Sequence, residues 1–358
     1  MTCSKPREKE NNSIKSQASN STRFSRSIFA AWQFLFFTLS ALVLVSAAVI
    51  AVIGSSATLA PNRRAIEPWH HEILNHAEEF GMTIESASDQ SGNPYLVCEP
   101  NPQAKGKKAQ LLRAEMRKKG TEPSAPGKIH GTLMLLHGHK GCKEDHLPVS
   151  ERFCAAGFRC LCIDLPGHGK NPNAYATFGH KEVSLLMELW RDYLLKHPEA
   201  RGPLGIFGVS QGGAIALQWA AREPSTVSAV ASVCSFASLD QPIAASAEHL
   251  PPILRDAKPL TTRACALGIY CRCGFFPSEI SPLNAASELH CPVFITHGSK
   301  DSFVPAGAAE QIFRAIPHQQ KTLRLIENAG HHNVLAIGST ALYADLCCFF
   351  LRSMHPAT

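Results

Sequence analysis

Ser210 lies in Gly208-Val209-Ser210-Gln211-Gly212-Gly213, directly after the apolar run LGIF and directly before AIALQWAA, whose spacing is helical. A serine on a sharp strand-to-helix turn takes a strained backbone conformation, and glycines on either side let neighbouring segments approach without Cβ clashes. Its hydroxyl projects above the strand end, but it becomes a nucleophile only when a base removes the proton. Two downstream residues suit the roles of base and orienting acid: Asp301 in HGSKD, after the run VFIT, and His331, after LRLIENAG. They follow at intervals of 91 and 30 residues, each just past a candidate strand. Loops at one sheet edge would therefore bring serine, acid and base together for acyl transfer. His332 is the neighbouring alternative base, and Asp240, after the preceding strand, is the alternative acid.

The elements that must hold these residues are legible as a rhythm. TLMLLHG, FRCLCID, LGIFGVS, VSAVASVCSF, VFITHGS and LRLIENAG are short apolar runs of the kind buried on both faces of a sheet. Between them lie amphipathic stretches such as LPVSERFCAAG and EVSLLMELWRDYLLKHP, which predicts a mainly parallel sheet covered by helices on both faces. MTIESAS and YLVCEP, separated by DQSGNP, predict a hairpin ahead of it. Residues 101–128 are basic and poorly patterned, so a solvated loop with one helical turn around LLRAEMRKK is expected. Residues 238–290 interrupt the rhythm and fit an insertion that caps a site at the carboxyl ends of the strands.

With GVSQGG, HGSKD, NAGHHN, LLHGHKG (from His137 to Gly141) and DLPGHG (Asp164 to Gly169), the chain from about Ile66 onward resembles an α/β-hydrolase-fold serine hydrolase of the esterase or serine-aminopeptidase-like branch. The resemblance implies an α/β fold with a cap and a triad of Ser210, Asp301 and His331, the base being the histidine directly after Ala-Gly. It also implies an oxyanion hole made by the backbone N–H groups of His139 and Gln211, with no role needed for the His139 side chain. His137 and His168 are expected to be structural.

Composition narrows the rest. The net charge of +6 gathers in two stretches, +4 over residues 1–27 and +6 over 101–131, so the remainder is acidic on balance and a nucleic-acid partner is not expected. Residues 28–53 hold no charge; 26 helical residues reach about 39 Å, enough for a hydrocarbon core of about 30 Å. The expected organisation is a basic tail (1–27), a transmembrane anchor (28–53) and a hydrolase domain (61–358). Lys15, Arg23 and Arg26 precede the apolar run, which favours the N-terminus inside and the catalytic domain extracytoplasmic. Cleavage at small residues around Ser46, Ala48, Ala57 and Ala60 is the alternative. Cys160 and Cys162 alternate in FRCLCI and are expected as buried small hydrophobes, whereas CALGIYCRC could carry a disulfide.

The expected activity is hydrolysis of a carboxylic ester or thioester through an acyl-enzyme, on a small acyl substrate, without cofactor or metal. A peptidase on the same fold is the alternative; its amine-capturing carboxylates would come from Asp240, Glu248, Asp256, Glu279 and Glu288 of the insertion. A non-catalytic binding protein is the third reading.

Overall fold

The computed structural model describes residues 7–103 and 106–354, so positions 1–6 of the expected tail, Cys3 included, lie outside the described residues. The chain opens on helix α1 (Arg7–Leu59), longer at both ends than the uncharged run. Within it, Ala31–Leu59 is apolar and long enough to cross a membrane, and Trp32, Phe34, Leu44, Val49, Val52 and Ile53 are all exposed. Helix α2 (Pro68–Asn75), the hairpin β1 (Met82–Ser88) and β2 (Pro94–Pro100), and α3 (Lys107–Lys118) follow. From there strands and helices alternate: β3 (Gly131–Leu136), α4 (Leu147–Ala156), β4 (Phe158–Ile163), α5 (Glu182–Lys196), β5 (Leu204–Val209), α6 (Gln211–Arg222) and β6 (Val227–Val233). Helices α7 (Asp240–Ala247), α8 (Pro252–Asp256), α9 (Lys258–Cys273) and α10 (Pro282–Ala286) then intervene before β7 (Val293–Gly298), α11 (Gly307–Ala315), β8 (Lys321–Ile326) and α12 (Val334–Met354).

The eight strands form one sheet in the order β1-β2-β4-β3-β5-β6-β7-β8. β1 and β2 run antiparallel and β4 through β8 run parallel, so every βα loop of the parallel part opens at the same edge. Side-chain alternation divides the core between the two faces. Met134, Leu136, Leu161, Ile163 and Ile206 face α5 and α6, whereas Leu133, Leu135, Cys160, Cys162 and Phe207 face α4 and α12. Cys160 and Cys162 are thus fully buried on one strand face, as the alternation predicted, and burial pushes both thiols well above their ordinary range. On that side Phe153, Phe158, Phe207 and Phe350 meet edge-on at 5.4–6.4 Å. Each such ring contributes about 1.5–3 kcal/mol by burial.

Two expectations are corrected. Residues 107–118 form a full helix, not a loop with one turn, because Leu112 and Met116, four residues apart, bury one face against α4 and α12. CALGIYCRC is helical, with Cys265 buried, Cys271 exposed and Cys273 between, and every described cysteine is a free thiol. On a helix these spacings point the thiols in different directions.

Candidate active site

β5 ends at Val209 and α6 begins at Gln211, which leaves Ser210 alone in the turn with φ 53° and ψ −112°. This is a costly conformation for a residue with a side chain, and close packing holds it. A Cβ on Gly208 would sit 2.2 Å from the Gly212 backbone, and one on Gly212 would sit 2.0 Å from the Leu136 carbonyl oxygen. Only glycine at both positions allows strand, turn and the neighbouring β3 end to close this tightly. The Ser210 N–H donates to the Val233 carbonyl at 2.7 Å and fixes the turn to β6.

His331 lies in the loop between β8 and α12, and its Nε2 is 3.0 Å from Ser210 Oγ. Its Nδ1 is 2.7 Å from Asp301 Oδ2. A carboxylate accepts only, so Nδ1 carries the proton and Nε2 is left to accept from the serine hydroxyl. Asp301, beyond β7, accepts at Oδ1 from the N–H groups of Phe303 (2.9 Å) and Val304 (2.8 Å). His297 Nε2 lies 3.1 Å from Asp301 Oδ2 and 2.8 Å from the Val304 carbonyl oxygen, so it donates toward both. Burial alone would raise the Asp301 carboxyl, but the hydrogen bonds from His297, His331 and the Val304 N–H outweigh it and hold the group well below the ordinary carboxylate range. An acid so held stays ionised opposite the imidazole.

The alternatives lie elsewhere. The His332 ring stands at 89° to that of His331, with Nε2 and Nδ1 of His331 already on Ser210 and Asp301. Asp240 opens α7 and takes a hydrogen bond from Ser238.

The loop after β3 runs over the nucleophile: a Cβ on Gly138 would lie 3.6 Å from Ser210 Cβ. His137 is buried, with Nε2 accepting from the Leu165 N–H at 3.1 Å, so it ties this loop to the one after β4. His139 departs from expectation. Its Nε2 is 2.9 Å from the carbonyl oxygen of Thr58, in the last turn of α1, and its ring stacks on Phe178. Burial lowers its pKa, so it is a neutral donor. The side chain therefore joins the loop over Ser210 to the apolar helix, a contact that no local pattern announced. His297 was also missed, although its place four residues before Asp301 was a signal available in HGSKD.

Among the described residues, two clusters hold three metal-capable groups within 4.8 Å. One contains Asp301 and His331 with Cys234, whose thiol burial pushes up to about 12. The other contains His70, Cys142 and Asp145, where Asp145 pairs with Arg64 and His70 and accepts from the Cys142 N–H, and where the Cys142 thiol is also pushed up to about 12. In both, the carboxylate and the imidazole already serve one another, and a protonated thiol is a poor ligand.

Residues 131–262 match the family model described as alpha/beta hydrolase fold. The chain is 26% identical over 238 residues to the uncharacterized protein YqkD of Bacillus subtilis, covering 65% of this chain and 75% of that one. It is 24% identical over 220 residues to the 2,6-dihydropseudooxynicotine hydrolase of Paenarthrobacter nicotinovorans, covering 59% of this chain and 54% of that protein. Among solved structures, the Pyrococcus furiosus esterase Pf2001 superimposes with a TM-score of 0.60 at 18% identity, over 83% of this chain and 99% of the other.

Proposed function

We propose that this α/β-hydrolase-fold hydrolase is a membrane-anchored serine enzyme that cleaves a carboxylic ester or thioester through an acyl-enzyme, with Ser210, His331 and Asp301 as its triad. The observation that carries the reading is the unbroken hydrogen-bonded chain from Ser210 Oγ through His331 to Asp301, with the serine on a strained elbow. Ser210 Oγ attacks the acyl carbon while His331 Nε2 takes its proton, and Asp301 steadies the imidazolium through Nδ1–H. The oxyanion is received by the backbone N–H groups of Gln211, at the start of α6, and His139. Such fixed donors need no reorganisation and are worth about 10²–10³ in rate each. His331 then returns the proton to the leaving alcohol or thiol, and water repeats the sequence on the acyl-enzyme.

The similarity to an esterase and to a named hydrolase supports the class of reaction, and the exposed apolar length of Ala31–Leu59 supports the anchor. The basic residues Lys15, Arg23 and Arg26 support an N-terminus inside and a catalytic domain on the far side of the membrane, which protease protection of sealed vesicles measures. The decisive experiment is fluorophosphonate labelling of the full chain in detergent. We expect stoichiometric labelling at Ser210 that disappears in Ser210→Ala and His331→Ala. An unlabelled, folded wild type would overturn the assignment. A parallel comparison of short acyl esters with aminoacyl amides identifies the bond cleaved, and turnover of the amides alone would replace the esterase reading by the peptidase one.

A further inference from the structure

The end of α1 lies along α9. Cys265 Sγ is 4.0 Å from Thr58 Oγ1, a Cβ on Gly54 would lie 3.1 Å from that same sulfur, and a Cβ on Gly268 would lie 2.2 Å from the Ala51 carbonyl oxygen. As α9 advances from Cys265 to Gly268, its partners on α1 recede from Thr58 to Ala51, so the two helices run in opposite directions. On α1 the half-buried or buried positions Ala47, Ile50, Ala51, Gly54, Ser55 and Thr58 form the matching stripe. The carboxyl half of α9 therefore sits at the level where α1 exposes Val49, Val52 and Ile53 on its other sides. Arg272, near that end, turns its guanidinium back to donate to Ser56 Oγ at 2.6 Å. A long cationic side chain takes that course when its Cα lies at the edge of an apolar medium.

The opposite face of α9 has no cover among the described residues. Leu260, Leu267 and Tyr270 are 50%, 54% and 46% exposed and fall on one side of the helix with Arg263 between them. Tyr270 stacks on the exposed ring of Phe276 at 4.5 Å. In α8, Ile253 extends the surface and is 79% exposed. Apolar residues, paired aromatics and arginine on one helix face are the composition of an element lying in a membrane interface. From these observations we infer that the exposed face of α8 and α9 lies in the headgroup region of the same leaflet that α1 leaves, so that the cap rests on the bilayer.

The placement bears on the reaction. Thr58, whose carbonyl binds His139, is five residues beyond Ile53, about 8 Å along the helix. The loop over Ser210 is thereby held within a short distance of the lipid surface, which suits an acyl ester drawn from the leaflet. This inference rests on α1 being the anchor, and the test separates the two.

The full chain is placed in phosphatidylcholine nanodiscs with and without dibrominated acyl chains, and tryptophan quenching is read. Trp32 lies in the apolar span, whereas Trp190 and Trp219 are buried in the domain and Trp69 is half-buried in α2, so quenching in the wild type that vanishes in Trp32→Phe reports the anchor. In the Trp32→Phe background, Leu267→Trp and Tyr270→Trp are compared with Leu195→Trp, which is more exposed than either but lies at the end of α5 that leads into the amino end of β5. We expect loss of the added fluorescence at 267 and 270 and none at 195. Quenching through Trp32 with none at 267 or 270 overturns the cap inference and leaves the anchor; no quenching through Trp32 overturns the anchor itself. A blue-shifted but unquenched tryptophan at 267 would assign the face to a protein partner, which also overturns the inference. Turnover supplies a second readout: Leu267→Glu should lower the ratio of bilayer-borne to soluble ester hydrolysis by roughly tenfold, the factor that a modest change in binding free energy carries, and an unchanged ratio counts against it.

Discussion

His139 joins a proposed role to an observed one: its backbone N–H is the proposed oxyanion donor, and its ring N–H is held by the Thr58 carbonyl at 2.9 Å. If the second positions the first, the chemistry of the ring matters through the turnover rate and not through substrate affinity. His139→Phe keeps a ring to stack on Phe178 but removes the donor, and a fall in kcat of roughly tenfold with KM little changed is expected. His139→Gln returns an amide nitrogen near the lost Nε2 and should recover most of the rate. Measuring both constants for each variant tests this; equal losses in the two variants would assign the ring a packing role only. The proposed backbone role of His139 rests on the resemblance that LLHGHKG carries, whereas its side-chain partner lies 81 residues earlier in the chain, beyond any local pattern.

At the scale of elements, the α1–α9 contact depends on close approach of small residues. The Ala51 backbone stands where a Gly268 side chain would be, so Gly268→Ala must push the helices apart at a cost of about 1–3 kcal/mol. A lowered thermal midpoint in detergent is expected for Gly268→Ala, against no change for Gly202→Ala, where a Cβ would meet nothing within 4 Å. Equal midpoints would show that the α1–α9 contact adds nothing to stability. The eight strands were all readable, because apolar runs and turn residues are local. Helix α3 was not: its apolar signal is little more than Leu112 and Met116 among basic residues, and its stability comes from packing against α4 and α12.

Across the whole molecule, several imidazoles are buried neutral, and this sets how acid acts on the fold. Burial lowers His146 from 6.5 to about 4. Between those values the unfolded chain binds a proton that the folded chain does not, so stability falls as pH drops from 6.5, and this loss is complete below about 4. At 1.4 kcal/mol per unit, His146 alone removes roughly 3 kcal/mol over that window. Asp301 acts lower: its depressed carboxyl contributes stability above its ordinary value of 3.8 and loses it as pH falls toward the folded-state value. Thermal midpoints at pH 7, 5.5 and 4 should decline steadily, and the decline should be shallower in His146→Gln even if that variant is less stable throughout. An unaltered slope would mean that other groups govern acid unfolding.

What the sequence by itself determined is the order of the strands along the chain, the apolar length of the first helix, and the candidate serine and acid, with His331 and His332 side by side as candidate bases. Each of those follows from periodicity, steric demand or charge within a short stretch of chain. Only the tertiary structure decided which histidine faces Ser210, that His297 shares the Asp301 carboxylate, and that the end of α1 packs against α9 and binds the loop over the nucleophile. Those contacts join residues far apart in the chain, through a backbone carbonyl, a ring nitrogen and the missing side chains of Gly54 and Gly268. Such groups leave no periodic trace, and distance in space, not neighbourhood in sequence, determines whether they meet.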